Sequence, residues 1–99
     1  MITNLTYDNF DEQTAKGLKL IDFSAQWCVF CQKLKPELEA LDKIWIGYVD
    51  ADDYPDLTRK FHCEGYPTMV VLKDGKEVDR ILGYRTKEEI LETIMKHLV

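Results

Sequence analysis

Two cysteines, Cys28 and Cys31, are the residues of this chain best suited to redox chemistry. They have two residues between them in "AQWCVFCQKLKP", which runs from Ala25 to Pro36. Thiols at this spacing either form a reversible disulfide or hold a metal ion. The chain has three cysteines, too few and too odd a number for a secreted disulfide scaffold. In a reducing compartment, the pair is therefore predicted to be redox-active or metal-bound rather than structural.

A helix is predicted to begin at Cys28 and to set the reactivity of both thiols. Apolar residues recur at helical spacing, at Val29, Leu34, Leu38 and Leu41, and Pro36 predicts a bend rather than an end. The unpaired N–H groups and partial positive charge of a helix start favour a thiolate at Cys28. Cys31 is expected one turn later on the same side, less exposed and farther from that end. Cys28 is thus predicted to attack a partner disulfide, and Cys31 to attack Cys28 and release the reduced partner.

Asp22 is the second unusual residue, because its carboxyl group stands inside the apolar run "LIDFS" of a predicted buried strand. Burying a carboxylate costs free energy unless its pKa rises or it finds a partner. Near the thiol pair, such a group would take the proton of Cys31 during the second attack. Alternatively, Asp22 reaches solvent at the strand end or caps a backbone group, and the residues alone leave both interpretations open.

Nine elements are predicted from hydrophobic periodicity, caps and turn residues. Strands are expected at residues 2–5, 19–25, 44–50, 68–73 and 76–82, and helices within residues 7–17, 28–41, 54–61 and from Thr86 onward. Asp74-Gly75 is typical of a two-residue hairpin turn, and Thr86 with Glu89 forms a capping box. The last helix is expected to place five apolar residues on one face, Ile90, Leu91, Ile94, Met95 and Leu98. The predicted fold class is α/β, a central mixed sheet with helices on both faces in the order βαβαβαββα.

Length and composition narrow the class of protein further. Residues 1–99 are predicted to form a single domain, and 45% hydrophobic residues supply a core without a disulfide framework. The net charge of -5 comes from interspersed acids and bases, so neither nucleic acid nor an anionic membrane is an expected partner. A basic segment followed by an apolar run is not seen after Met1, which predicts a cytosolic protein. A monomer is the default expectation for a domain of this size.

Taken together, these motifs resemble the thioredoxin family. The segments "LIDFSAQWCVFCQKLKP", "GYPT", "VVLKDGKEV" and "ILGY" are similar to its members in order and spacing, over nearly the whole chain. The specific matches are Asp22, Trp27, Cys28, Cys31, Pro36, Tyr66 with Pro67, Gly75 and Gly83. The resemblance implies a thioredoxin fold and a thiol-disulfide oxidoreductase that reduces the disulfides of proteins.

The resemblance also implies a role for each matching residue. Cys28 would be the nucleophile, Cys31 the resolving thiol and Asp22 the buried proton acceptor. Pro67 would be a cis-proline that faces the sulfurs. A partner-docking surface would surround the disulfide, formed by Trp27, Tyr66, Pro67, Gly83 and Tyr84, with Phe30 as a further candidate. No bound cofactor is implied, and the electrons would come from a thioredoxin reductase.

Three sites in the sequence depart from the family pattern. Val29 and Phe30 stand where Gly-Pro is usual, and the missing proline bears on the redox potential more than on the reaction itself. Tyr48 stands at the position of a family lysine near the buried aspartate, and Ser24 where an aromatic residue is common. Because both concern the surroundings of Asp22, the family's proton-relay details do not transfer directly.

Cys63 and His62 suggest two further interpretations. Cys63 is expected to be a small buried hydrophobic residue, with a regulatory or second-disulfide role as the alternative. A metal set would combine Cys28, Cys31, His62 and Cys63. Because His62 and Cys63 are adjacent and poorly placed to ligate one ion together, no metal site is predicted.

Two other functions compete with protein-disulfide reduction. One is a glutaredoxin-like or more oxidising disulfide exchanger that works with glutathione, which turnover on glutathione alone would reveal. The other is a thioredoxin-fold binding module that docks partners through Trp27, Tyr66 and Tyr84. Partner affinity that survives the loss of both cysteines would favour that module.

Overall fold

The predicted order of elements, βαβαβαββα, is confirmed in the computed structural model, which describes residues 1–98. The strands are β1 (Ile2–Asn4), β2 (Leu18–Ser24), β3 (Trp45–Asp50), β4 (Thr68–Lys73) and β5 (Lys76–Leu82). The helices are α1 (Phe10–Thr14), α2 (Val29–Glu39), α3 (Pro55–Lys60) and α4 (Lys87–Met95). No helix in this described part of the chain has the length and apolarity needed to cross a bilayer.

The five strands form one mixed sheet in the order β1-β3-β2-β4-β5. Strands β1, β3 and β2 run parallel, whereas β4 is antiparallel to β2 and β5 is antiparallel to β4. The predicted parallel pairing of β3 with β2 across the helix between them is therefore confirmed. Strand β2 lies at the centre of the sheet and is hydrogen-bonded on both sides, and its residues from Leu20 to Ser24 are buried.

Two apolar clusters fill the space between the sheet and its helices. One lies under α2 and α4 and contains Leu20, Leu34, Leu38, Leu41, Ile46, Met69, Val71, Ile81, Ile90 and Ile94. The other lies under α1 and α3 and contains Leu5, Phe10, Ile21, Phe23, Val49, Leu57, Val70 and Leu72. Consecutive residues of the central strands alternate between the clusters, as the pleat of a strand requires. The predicted placement of helices on both faces is confirmed.

Two local signals of the sequence are found in the structure as predicted. Asp74 and Gly75 have φ angles of 51° and 82° and connect β4 to β5 in a tight turn. Thr86 and Glu89 form the predicted capping box, in which each side chain bonds the backbone N–H of the other residue. The start of α4 and the hairpin are therefore fixed by short-range chemistry.

The predicted five-residue apolar face of α4 is wrong. Ile90 and Ile94 are 0% and 1% exposed, but Leu91, Met95 and Leu98 are 40%, 57% and 64% exposed. Each residue of a helix turns about 100° from the one before it, so Leu91 and Met95 lie beside the contact row and not on it. The helix packs on the sheet through the row that contains Ile90 and Ile94. The apolar side chains of Leu91 and Met95, beside that row, remain exposed to solvent.

Gly47 in β3 leaves a space that Leu5 fills, and adding a side chain there tests this packing. A Cβ atom at position 47 would lie 2.5 Å from Leu5 Cδ1 and 2.9 Å from Trp45 Cζ3. Because Leu5 is itself buried, Gly47→Ala is expected to destabilise the fold by about 1–3 kcal/mol, the usual cost of overpacking. Gly65→Ala is the matched control, since a Cβ atom there meets nothing within 4 Å. Urea unfolding measures both, and equal midpoints would contradict the described packing.

Candidate active site

Strand β2 places two polar side chains, Asp22 and Ser24, beneath helix α2. Leu20 belongs to the cluster under α2 and α4, and alternate residues of a strand face the same side. Asp22 and Ser24 are accordingly buried on that side, with 3% and 2% of their surfaces exposed. Tyr48 is the register neighbour of Asp22 on β3 and faces the same way. These three polar groups therefore lie under the helix that carries Cys31.

Cys28 caps helix α2, which begins one residue later at Val29. The backbone of Cys28 is extended, with φ -86° and ψ 117°, and its Sγ accepts a hydrogen bond from the Cys31 N–H at 3.2 Å. The same thiol donates to the Tyr66 carbonyl oxygen at 3.5 Å. An N–H group aimed at Sγ from the positive end of a helix stabilises a negative sulfur. Cys28 Sγ thus lies at the positive end of α2 and accepts one of its free N–H groups.

Cys31 differs from Cys28 in its contacts more than in its exposure. The exposed fractions are 6% and 8%, so the predicted contrast in exposure is small. Burial raises the pKa of the Cys31 thiol to about 11, and the hydrogen bond with Cys28 raises it further, whereas the Ser24 hydroxyl lowers it. Both cysteines are free thiols. At neutral pH the Cys31 thiol is therefore protonated.

Asp22 is buried, so the alternative in which it reaches solvent at the strand end is wrong. Burial raises the pKa of its carboxyl group from 3.8 to about 7. The Ser24 hydroxyl donates a hydrogen bond to Asp22 Oδ1 at 2.5 Å, and this bond lowers the pKa of the carboxyl group. Because this pKa lies near neutrality, the group is matched to proton transfer at neutral pH.

A cleft of about 640 Å³ opens beside the buried carboxyl group and is lined in part by Asp22, Ser24, Cys31, Lys35 and Tyr48. Burial raises the pKa of Tyr48 to about 12, and the nearby Asp50 and Asp22 add to the effect, so its hydroxyl stays neutral. Tyr48 therefore lies in the predicted position near Asp22 without bringing the charge that a lysine would bring. The cleft gives Asp22 a route for proton exchange with solvent.

The loop before β4 lies against the dithiol. The Tyr66–Pro67 peptide bond is cis, and the Tyr66 carbonyl oxygen is the one bonded by Cys28. The Pro67 carbonyl oxygen accepts a hydrogen bond from the Gly83 N–H at 2.9 Å, and Gly83 has φ 81°. A side chain at position 83 would be strained in this conformation. Tyr66, Pro67 and Gly83 are thus brought together beside Cys28.

Trp27 stands at the rim of the dithiol with 67% of its surface exposed. Its ring meets the edge of Tyr66 at a centroid distance of 6.2 Å, and its indole N–H donates to the Asp52 carboxylate at 2.9 Å. The ring is therefore held from two sides while its remaining surface faces solvent. Trp27 and Tyr66 form one half of an aromatic rim around Cys28.

Phe30 and Tyr84 form the other half of this rim and are linked by Lys33. The Lys33 ammonium lies 5.9 Å from the Phe30 ring centroid and 5.6 Å from that of Tyr84. Such contacts between a cation and aromatic faces are favourable. Phe30 is 58% exposed and its neighbour Val29 is 64% exposed. Of the predicted docking residues, Tyr66 packs against the cluster of Cys28 and Cys31, Trp27 contacts the Tyr66 ring, and Tyr84 is linked to Phe30 through Lys33.

Cys63 and His62 lie away from the dithiol pair. Cys63 is half-buried against the cluster under α1 and α3, and not fully buried as expected, whereas Cys28 and Cys31 form a separate cluster with Ala25. Burial raises the pKa of the Cys63 thiol to about 11. Within residues 1–98, no group of three or more His, Cys, Asp or Glu side chains is placed to hold a metal ion.

Sequence reasoning did not assign Val29 or Asp52 to the site, and it placed Val29 on the buried face of α2. Val29 is five residues before Leu34, which corresponds to about 140° around a helix. That angle is a signal in the sequence that Val29 is exposed. Asp52 offered no comparable signal, because its bond to Trp27 joins two separate loops.

Comparison with a family model and with individual known proteins gives the same family, the thioredoxins. The Thioredoxin family model matches residues 1–96. The chain is 39% identical over 101 residues to the thioredoxin of Chlamydia caviae, with 98% of this chain and 99% of that protein covered. It is 40% identical over 102 residues to the thioredoxin of Staphylococcus haemolyticus, with 98% of each covered.

Two solved structures are similar to this fold. The thioredoxin of Malassezia sympodialis superposes with a TM-score of 0.85 at 26% identity, covering 98% of this chain and 90% of that one. The thioredoxin of Fasciola hepatica gives a TM-score of 0.80 at 35% identity, covering 91% and 89% of the two chains.

The fold and the dithiol at the start of α2 define a thiol-disulfide oxidoreductase with a thioredoxin fold. The chain belongs to the thioredoxin family, as the family model and the relatives over nearly full length show. The fold class, the family and the enzyme class predicted from the sequence are therefore confirmed.

The buried carboxyl group of Asp22 makes stability depend on pH, and Asp22→Asn should remove this dependence. The ordinary pKa of an aspartate is 3.8 and that of Asp22 in the fold is about 7, so between these values the folded state binds the extra proton. Stability contributed by Asp22 is therefore lost as the pH rises from about 4 to about 7. Above pH 7, Asp22→Asn is expected to be more stable than the wild type by a few kcal/mol.

Urea unfolding between about pH 4 and about pH 8 measures this difference. Asp42→Asn is the matched control, because Asp42 is exposed and its replacement should leave the pH profile unchanged. An advantage of Asp22→Asn that is equally large at both ends of the pH range would contradict the titration of Asp22 as its cause.

Proposed function

We propose that the chain reduces disulfides of other proteins, with Cys28 as the nucleophile, Cys31 as the resolving thiol and Asp22 as the proton acceptor. One observation carries this assignment: the two sulfurs lie in different environments at the start of one helix. Cys28 Sγ accepts the Cys31 N–H at the positive end of α2, whereas burial raises the pKa of the Cys31 thiol to about 11. Cys28 therefore starts the reaction, and Cys31 acts only after losing its proton.

The reaction has two exchange steps. In the first, Cys28 thiolate attacks one sulfur of the substrate disulfide, forms a mixed disulfide and releases the other sulfur as a thiolate. In the second, deprotonated Cys31 attacks Cys28 Sγ, which closes the Cys28–Cys31 disulfide and releases the second substrate sulfur. The substrate gains two electrons and the enzyme dithiol loses two. Released thiolates take protons from water.

Asp22 supplies the proton acceptor for the second step. Its carboxyl group has a pKa of about 7 because of burial, so a substantial fraction is ionised at neutral pH and its basicity exceeds that of an exposed aspartate. The cleft beside it allows the accepted proton to leave between turnovers. The protonated group then returns to the carboxylate before the next cycle.

The docking surface in this proposal consists of Trp27, Phe30, Tyr66, Pro67, Gly83 and Tyr84. Trp27 and Phe30 are more than half exposed and stand on opposite sides of Cys28 along the chain. Exposed apolar groups around a reactive sulfur favour a partner that buries them, such as a segment of another protein. The backbone beside Pro67 offers polar groups with which an extended segment would pair.

The electrons are proposed to come from a thioredoxin reductase, which the family membership suggests. No bound cofactor is required, because the two thiols themselves carry the electrons. The proposed location is the cytoplasm, where a reducing environment keeps such a dithiol reduced. The protein is proposed to act as a monomer.

Three cysteine variants test the assigned roles. Cys28→Ser is expected to abolish turnover of a cystine-bridged peptide, and Cys31→Ser to accumulate a mixed disulfide at Cys28. Cys63→Ser is the matched control and should keep wild-type turnover, because Cys63 packs against the other apolar cluster. Mass measurement of acid-quenched protein locates the mixed disulfide. Full turnover by Cys28→Ser, or a mixed disulfide at Cys31, would contradict the assignment.

The electron donor is tested with the same peptide. Turnover is expected with a thioredoxin reductase system and only slow turnover with glutathione alone. Efficient turnover on glutathione alone would favour the glutaredoxin-like alternative.

Phe30→Ala tests the docking surface. Phe30 is 58% exposed, so its removal should cost little stability but weaken contacts with a protein partner. We expect kcat/KM for a disulfide-containing protein to fall by about tenfold, within the usual range for an aromatic contact residue. The rate with oxidised dithiothreitol should not change. Val78→Ala, which removes an exposed apolar side chain from β5, is the matched control. An equal loss with both substrates would indicate a role for Phe30 other than docking.

A further inference from the structure

Lys33 on α2 lies between two aromatic rings of the docking surface. Its ammonium nitrogen is 5.9 Å from the centroid of the Phe30 ring and 5.6 Å from that of Tyr84. Both distances are within the roughly 6 Å over which a cation is attracted to an aromatic face. Among the ion pairs of residues 1–98, none includes Lys33. The ammonium group therefore has the two rings, and not a carboxylate, as its neighbours.

Tyr84 is the fixed side of this arrangement. The residue before it, Gly83, donates its N–H to the Pro67 carbonyl oxygen at 2.9 Å. On the other side of the loop, the Lys87 N–H donates to the Glu37 carboxylate of α2 at 2.8 Å. The Tyr84 side chain is half-buried and packs against the apolar cluster under α2 and α4. Backbone contacts on both sides and packing below thus hold Tyr84 in place.

Phe30 is the loosely held side of the arrangement. Its side chain is 58% exposed, and within residues 1–98 its ring contacts no other aromatic ring, whereas Trp27 meets Tyr66. An exposed ring that samples several rotamers loses this freedom when a partner covers it, and the loss weakens binding. A contact that orders the ring beforehand removes part of that cost.

We propose that Lys33 is a positioning residue that holds the Phe30 ring towards Tyr84, so that a protein partner meets both rings in one arrangement. This inference rests on the proposed function, in which these rings dock a protein substrate. Residues 30 and 33 lie one turn apart on the same side of α2, which lets one side chain order the other. Lys33 is therefore expected to affect the docking of a protein and not the disulfide exchange at Cys28.

Two substitutions at position 33 separate the charge of the side chain from its length. Lys33→Met keeps a long, flexible chain without the charge, whereas Lys33→Arg keeps a cation that stacks on aromatic faces. Lys43→Met is the matched control, because it removes the same charge from an exposed position just before β3. The start of β3 pairs with the start of β2 at Lys19, and Cys28 follows the opposite end of β2. The control therefore lies far from the docking surface.

The reaction of the reduced proteins with insulin measures docking and chemistry separately. Each protein is mixed with insulin at increasing concentrations and quenched with acid, and oxidation of the Cys28–Cys31 dithiol is followed by mass. The rise of the rate at low insulin concentration reports docking and chemistry together, and the plateau at high concentration reports chemistry in the complex. Oxidised dithiothreitol replaces insulin in a parallel series, because it is too small to cover the aromatic rim.

We expect the second-order rate constant for insulin to fall about threefold in Lys33→Met, as for the loss of an exposed cation–π contact. The plateau rate, the rate with oxidised dithiothreitol and all rates of Lys43→Met should equal those of the wild type. Lys33→Arg should restore the second-order rate constant. An equal fall in Lys33→Arg, or an equal fall with oxidised dithiothreitol, would overturn the proposal.

The double variant tests whether Lys33 acts through Phe30. Without the Phe30 ring, Lys33 has lost the group that it positions, so Lys33→Met should cause no further loss in the Phe30→Ala background. An equally large loss in both backgrounds would also overturn the proposal, because Lys33 would then contact the partner directly.

The wild-type reaction distinguishes this inference from the proposed function. If the reduced wild type leaves the disulfides of insulin intact, the proposed function fails and the role of Lys33 in docking fails with it. If the wild type reduces insulin and Lys33→Met does so equally fast, the role of Lys33 alone is overturned.

Discussion

The carboxyl group of Asp22, buried in the central strand of the sheet, is the constraint on which the rest of the site depends. With helices on both faces of β2, this group has lost nearly all of its water, and an ionised carboxylate is expensive there. Three features surround the carboxyl group: a hydrogen bond from the Ser24 hydroxyl, a cleft that opens to solvent, and the neutral phenol of Tyr48. An apolar residue at this position would avoid that cost, but it would leave the proposed mechanism without a proton acceptor beside Cys31.

Helix α2 connects this strand to the chemistry at the surface. Its first turn carries Cys28 at the cap and Cys31 one turn later in the cleft beside β2, so two identical side chains lie in different environments. A backbone N–H at the positive end of the helix bonds Cys28 Sγ, whereas burial raises the pKa of the Cys31 thiol. Packing of Leu34 and Leu38 on the sheet holds both sulfurs in register with the carboxyl group.

Features set by short-range rules could be predicted from the sequence, and features set by packing could not. The order of elements, the Asp74-Gly75 turn and the Thr86 cap each depend on residues close in the chain. Whether Leu91 and Met95 are covered depends on how far the sheet extends beneath α4. The period of a strand places Ser24 on the side of Asp22, but the position of Cys31 in the same cleft depends on how α2 sits on the sheet.

The two tryptophans of the chain differ in environment, which gives the molecule an internal optical signal. Trp27 is exposed beside the thiols and bonded to Asp52, while Trp45 lies partly buried in β3 with the Lys19 ammonium 4.3 Å from its ring centroid. Binding of a protein over the dithiol changes the surroundings of the first ring and leaves the second in the sheet. The fluorescence of the protein therefore reports on two sites, one beside the thiols and one in the sheet, without an attached label.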